Sequence, residues 1–344
     1  MSSSMTLRRP IFLEDVQPRP RILRGWQRLR HRRASWLVEC LAEFWAVFVY
    51  TYLGSGATAA YITGNILGTV NLGSYFSIAL AYAVGVAFSL IMATPTSGGH
   101  INCGVTINLV VFQGFPKLKA LRYIAAQLLG GYVACLLVYV QWYDTIKQSE
   151  AVLAAAGTLE STMFTGSGPA GILTFFAPAG ANLGRVFLNE LVTDFFIGMV
   201  IWTAIDPTSF AMTPAVAPWA IGLGFGIAIW CFGPCGLGAN TARDVPGRLA
   251  ALTLWGARAG GGPFAAISAL TNIVSYGCAY VFYELVLKDS SRALTSAHKE
   301  VIAARVMQNE YLEGRDRTGD ASPKPSSFSE KQSDSCSDTA ATWV

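Results

Sequence analysis

The sequence predicts an all-α membrane protein with six transmembrane helices and two re-entrant half-helices, organised as an inverted repeat. Three observations lead there: composition, the lengths of the apolar runs and a weak internal duplication. Of 344 residues, 52% are hydrophobic and 13% charged, with a mean hydropathy of +0.41, well beyond the balance of a soluble domain. Runs of about 20 apolar residues, enough to cross a bilayer core, fall at 36–58, 74–95, 120–141, 186–206, 215–233 and 263–287.

The first 35 residues are basic. Arg8, Arg9, Arg19, Arg21, Arg24, Arg28, Arg30, Arg32 and Arg33 leave no room for the apolar stretch of a signal peptide. The positive-inside rule places them in the cytoplasm, and six spans return the C-terminus to the same side. Lys117, Lys119 and Arg122, between the second and third spans, agree. The membrane domain divides into halves at about 36–141 and 184–287, joined by a long extracellular loop over 142–183. Residues 288–344 end in a Ser/Asp/Lys/Pro-rich stretch that cannot bury a core, and read as a largely disordered cytoplasmic tail with a surface helix over 292–313.

The duplication emerges when the first three spans are laid over the last three. Each half opens with a span carrying a glutamate, Glu43 in Ala42-Glu43-Phe44 and Glu190 in Asn189-Glu190-Leu191. Each second span ends in a Gly-rich turn followed by an Asn-led segment too short to cross: Ser97-Gly-Gly-His100-Ile-Asn102-Cys103-Gly104-Val-Thr106, and Gly236-Leu237-Gly-Ala-Asn240-Thr241-Ala242-Arg243-Asp244. Three spans per half is an odd number, so the halves sit with opposite orientation. Asparagine is a good N-cap, and two capped half-helices of about ten apolar residues entering from opposite faces would meet near the middle. Polar backbone at that depth needs protein or a water-filled cavity around it, and an arginine there marks a functional site. A pore accommodates all of them. Asn102 and Asn240 would cap the half-helices and offer amide donors to a solute, Arg243 would line a constriction, and Asp244 would hold Arg243 or its loop. Glu43 and Glu190 would accept hydrogen bonds from the loop backbone, and His100 would be a structural donor.

These paired segments resemble the Asn-Pro-Ala boxes of the major intrinsic protein family, the aquaporins and aquaglyceroporins, over about 36–287. Asp244 after Arg243, with Arg248 following, is similar to the glycerol-conducting branch, and the third loop, with Gly168-Pro-Ala-Gly-Ile172 and Phe175-Phe-Ala-Pro178, resembles that of fungal aquaglyceroporins. The boxes depart from the family pattern at Cys103-Gly104 and Thr241-Ala242, which removes both helix-starting prolines and should loosen the junction. A family Gly-Pro after the second box is inverted to Pro246-Gly247, and another in the sixth span is replaced by Thr271-Asn272. Counting outward from each Asn, the resemblance places the selectivity constriction on Tyr82, Ala228, Leu237 and Arg243. Ala228 in place of a bulky donor implies a wide opening, with Tyr82 and Leu237 as an apolar wall opposite the arginine. The resemblance further implies a passive channel for water and glycerol or similar small uncharged solutes, excluding ions and protons, in a homotetramer with one pore per subunit; the plasma membrane is the default expectation for its location.

Other chemistry finds little support. The seven cysteines, Cys40, Cys103, Cys135, Cys231, Cys235, Cys278 and Cys336, show no disulfide or zinc spacing, and His31, His100 and His298 lie far apart. Gly222-Leu-Gly224-Phe-Gly226 reads as close helix packing in lipid rather than a nucleotide loop. No enzyme, metal or cofactor is expected, and no nucleic-acid partner: the arginine block beside a span meets anionic membrane lipid. Cys103 is either a small apolar filler or a pore-accessible thiol. Rival readings are a hydrogen peroxide or urea channel, a poorly conducting member, a secondary active transporter using Asp194 as a coupling carboxylate, and a non-conducting scaffold acting through its tails.

Overall fold

The computed structural model describes residues 12–17, 20–69 and 71–317. The arginines at 8, 9 and 19 and the tail beyond 317 lie outside the described residues, as does Cys336. Residues 33–298 form one compact unit. In it, eight helices make up the repeat: α1 Ser35–Leu67, α2 Tyr75–Ser97, α3 Cys103–Gln113, α4 Lys117–Gln141, α5 Leu183–Ala204, α6 Ala217–Phe232, α7 Thr241–Trp255 and α8 Phe264–Phe282. Among the described residues, six helical segments are long and apolar enough to cross a membrane. α3, at 11 residues, and α7, at 15, are the short pair. α7 is half again as long as the sequence led us to expect.

Local chemistry sets these lengths. Ser74 and Ser77 form a reciprocal capping box that starts α2. Gly114, in the left-handed region at φ 69, ends α3 after three turns. α1 continues nine residues past its expected end, because Ala59, Ala60, Tyr61, Ile62 and Thr63 keep the helix going to the Gly68 cap. The loop after α4 is more ordered than its composition implies, with a helix at Tyr143–Ala155 and 3₁₀ turns at Pro169–Ile172.

The halves interlock. α1 packs on α2 and α4, α5 on α8 and α6, and α2 on α6 across the halves. Each short helix also leans on the opposite half, α7 against α4 and α3 against α8. Gly130 of α4 lets that helix approach α1 so closely that a Cβ would lie 2.2 Å from the Phe44 carbonyl. At one end of the bundle Asp206 ties the α5–α6 loop to the end of the last span. It accepts hydrogen bonds from the Tyr283 hydroxyl at 2.6 Å and from Thr208 N–H and O–H at 2.8 Å each.

Residues 12–17, 20–32 and 299–317 belong to a second, smaller unit. Its helix Arg21–Arg32 exposes Ile22, Leu23, Trp26 and Leu29 at helical spacing among arginines, the pattern of a helix that lies on a membrane surface. The helix Ser296–Arg317 covers the place where a surface helix was expected, shifted by four residues.

Candidate functional site

The site is a junction of two half-helix N-termini below a constriction. Asn102 and Asn240 both adopt extended backbone and cap their helices with the side-chain oxygen, which accepts from Gly104 N–H at 2.7 Å and from Ala242 N–H at 2.8 Å. The residue before each asparagine is left-handed, Ile101 at φ 46 and Ala239 at φ 58. For a β-branched residue such as Ile this costs on the order of 1–3 kcal/mol. A buried glutamate offsets it in each half. Glu43 accepts from Ile101 N–H at 2.8 Å, His100 N–H at 2.9 Å, Gln127 Nε2 at 2.8 Å and the Ser97 hydroxyl. Glu190 accepts from Gly238 N–H at 2.8 Å and Ala239 N–H at 2.8 Å. Hydrogen bonds are worth roughly 0.5–1.5 kcal/mol each, and two or more on each turn together match the strain.

Two tyrosines the sequence reading did not single out complete the junction. Tyr50, two turns after Glu43 in α1, donates to the Ile101 carbonyl at 3.3 Å and accepts from Asn240 Nδ2 at 3.0 Å. Tyr276 of α8 donates to the Ala239 carbonyl at 2.7 Å and accepts from Asn102 Nδ2 at 3.3 Å. Asn240 Nδ2 also donates to the Ile101 carbonyl at 3.2 Å. Both amide protons of Asn240 are therefore taken by the protein, and its expected part as a donor to the solute is corrected; Asn102 keeps one proton. The seven-residue spacing of Tyr50 from Glu43 was the available clue.

The lost prolines do not loosen the junction either. Thr241 Oγ1 donates to the Ala269 carbonyl at 2.6 Å and lies 3.0 Å from Asn272 Oδ1. Gly104 is small because Asn272 stands in its space: a Cβ there would be 2.7 Å from Asn272 Oδ1. The unusual residues of the first box and the sixth span thus fit each other. Cys103 is 2% exposed and packs in the apolar cluster, and Ala242 is fully buried. His100 pairs its Nδ1 with Thr106 Oγ1 at 3.1 Å and meets the Phe115 ring at a tilt and the Tyr123 ring edge to face.

Above the junction a cavity of about 110 Å³, with room for several waters, reaches Arg243 and Asn240. Its lining includes Tyr82 and Leu237, with Ile78, Phe225 and Ile229 adding apolar surface. Ala228 is buried in the core and lies outside that lining. Tyr82 is not opposite the arginine as expected but beside it, its hydroxyl accepting from Arg243 Nε at 2.8 Å. Arg243 also donates to Ser55 Oγ at 3.0 Å and to the Leu173 carbonyl, and Phe175 stacks on it with a centroid 4.2 Å from Cζ. Asp244 holds Arg248, at 2.7 Å, rather than Arg243. Arg248 in turn donates to the carbonyls of Phe175 and Gly260, each at 3.2 Å. Ser55, Leu173 and Phe175 were missed because nothing in the sequence brings α1 and the long loop to α7.

Asp194, the carboxylate a coupled transporter would need, is fully buried and neither oxygen has a hydrogen-bond partner among the described residues. It is not among the residues lining the cavity.

An inverted repeat of six long apolar helices, with two capped half-helices meeting beneath an arginine-lined cavity, defines a membrane channel. The family model described as Major intrinsic protein matches residues 30–257, and the chain belongs to that family of passive channels. It is 46% identical over 315 residues to an aquaporin of Laccaria bicolor, covering 90% of this chain and 96% of the relative. It is 31% identical over 230 residues to Aquaglyceroporin-2 of Rhizophagus irregularis, 65% of this chain and 67% of the relative. The fold matches the crystal structure of the aquaglyceroporin from Plasmodium falciparum with a TM-score of 0.63, covering 73% of this chain and 97% of that one at 22% identity.

Proposed function

We propose that this channel conducts glycerol and water, along with similar small uncharged solutes, down their gradients. The observation that carries the reading is the two-sided wall of the cavity. Leu237, Ile78, Phe225 and Ile229 present carbon, while Arg243 and the Tyr82 hydroxyl present hydrogen-bonding groups. A polyol has the same division, carbon along one edge and hydroxyls along the other. Its hydroxyls exchange hydration for the arginine N–H groups, and the two half-helix N-termini, each with positive dipole potential, oppose cations and protons. The relatives described as an aquaporin and an aquaglyceroporin support the same solutes.

Orientation follows from charge. Lys119 pairs with Glu39 at 2.9 Å, so the basic loop lies at the start of α1, which supports a cytoplasmic placement of that end by the positive-inside rule. The C-terminal tail lies on the same side. A homotetramer in the plasma membrane, with one pore in each subunit, completes the proposal.

A solute panel on proteoliposomes tests it. Glycerol influx above that of empty vesicles, unchanged by an imposed proton or sodium gradient, supports a facilitative polyol pore. Water or peroxide flux without glycerol flux would narrow the function to those solutes, and flux driven by an ion gradient would point to Asp194 and coupled transport.

A further inference from the structure

The residue covering the face of the Arg243 guanidinium comes from neither half of the repeat. Phe175 lies on the long loop between α4 and α5, and its ring is nearer the guanidinium than that of Tyr82, 4.2 Å against 5.9 Å. Its position is fixed from two sides. Arg243 Nη1 donates to the Leu173 carbonyl, and Arg248 Nη2 donates to the Phe175 carbonyl at 3.2 Å. Gly247 stands between these arginines, where a Cβ would come 2.1 Å from the Leu173 oxygen. The segment Leu173–Phe175 is thus held by both arginines of α7. Thr174, in the middle, lines the same cavity, is fully buried, and its hydroxyl has no hydrogen-bond partner among the described residues.

Of the five guanidinium N–H groups, three are spent on Tyr82, Ser55 and Leu173, leaving one on each terminal nitrogen. The stacked face offers none. A solute must therefore meet Arg243 at its edge with its carbon chain against the ring.

We propose that Phe175 is a specificity-determining residue of this pore: its ring is an additional wall of the constriction that limits polyol length. This rests on the reading of the chain as a polyol pore. Without the ring, the guanidinium face opens and the passage widens, which favours a four-carbon polyol more than glycerol. Phe164, on the same loop, lies outside the cavity lining and faces Arg258 instead, and serves as the control.

The test uses full-length protein in proteoliposomes and measures erythritol and glycerol permeability side by side. Phe175→Ala should raise the erythritol-to-glycerol ratio at least about threefold, while Phe175→Tyr and Phe164→Ala keep the wild-type ratio. An unchanged ratio in Phe175→Ala, or an equal rise in Phe164→Ala, overturns the proposal. If Phe175→Ala does not fold, Phe175→Leu, which keeps bulk and loses the flat face, should give an intermediate rise; no rise overturns it equally. Absence of glycerol flux in the wild type would instead remove the polyol reading on which the proposal stands.

Discussion

Gly54 of α1 sits directly behind the Tyr82 ring, and replacing it by alanine should close the pore to glycerol. A Cβ at this position would lie 2.2 Å from both Cζ and Cε1 of Tyr82 and 2.5 Å from Cε2. Ordinary contact begins near 3.4 Å, so the hydroxyl end of the ring must swing away by about 1 Å, and α1 behind it leaves only the cavity side. Overpacking of this kind costs about 1–3 kcal/mol. The same swing strains the 2.8 Å bond between Tyr82 and Arg243 Nε, a charge-assisted bond worth about 1.5–3 kcal/mol. If the rise in the barrier to glycerol is only 1.4 kcal/mol, flux falls tenfold. Stopped-flow light scattering on proteoliposomes reads this directly, with water permeability falling less because water needs less width. Combining Gly54→Ala with Tyr82→Leu should restore glycerol flux. Wild-type glycerol flux in the single variant would refute the placement of Tyr82 at the constriction.

Further outcomes follow from the supports of the junction. Glu190→Ala leaves the Gly238 and Ala239 N–H groups without their acceptor and releases the left-handed Ala239; a loss of about 2–4 kcal/mol is expected, visible as a lower melting temperature in detergent and as reduced flux. Tyr276→Phe frees Asn102 Nδ2 and the Ala239 carbonyl together, which should cost about 1–3 kcal/mol of stability in the same assay. Asp206 gives a pH dependence outside the membrane. Burial by itself would raise its carboxyl pKa, but the bonds from Tyr283 and Thr208 outweigh burial and hold it below the usual 3.8. The lowered pKa in the folded state stabilises the loop above the unfolded value, and that stabilisation is lost as pH falls through the folded one. Amide exchange around residues 206–209 should therefore be flat from neutral pH down to about 4 after correction for intrinsic rates, then rise, and Asp206→Asn should remove the step.

Much of the fold was legible because lipid permits few solutions. Apolar length gave the six spans within a few residues except for the end of α1, and the matched Asn-led segments gave the half-helices. Glu43, Glu190, Asn102 and Asn240 were readable as paired features since each occurs once per half. What stayed hidden depends on contacts between distant segments. Tyr50 and Tyr276 resemble ordinary core aromatics until the junction places each beside the other half's loop. The fit of Gly104 to Asn272 joins residues 168 positions apart, so each looked like an isolated defect. Phe175 and Leu173 lie on a loop whose path no periodicity specifies. The direction of Asp244 was misjudged because Arg243 is its sequence neighbour, whereas Arg248, one helical turn on, shares its face.

The most direct measurement is glycerol influx into proteoliposomes after an inward glycerol gradient, comparing wild type with Asn240→Asp. A facilitative pore past the second half-helix gives rapid shrinkage followed by reswelling in the wild type. The reswelling should be lost in the variant, which replaces the amide that donates to Tyr50 and Ile101 with a buried carboxylate. Shrinkage without reswelling in the wild type, or equal reswelling in both proteins, would contradict a glycerol path through this junction.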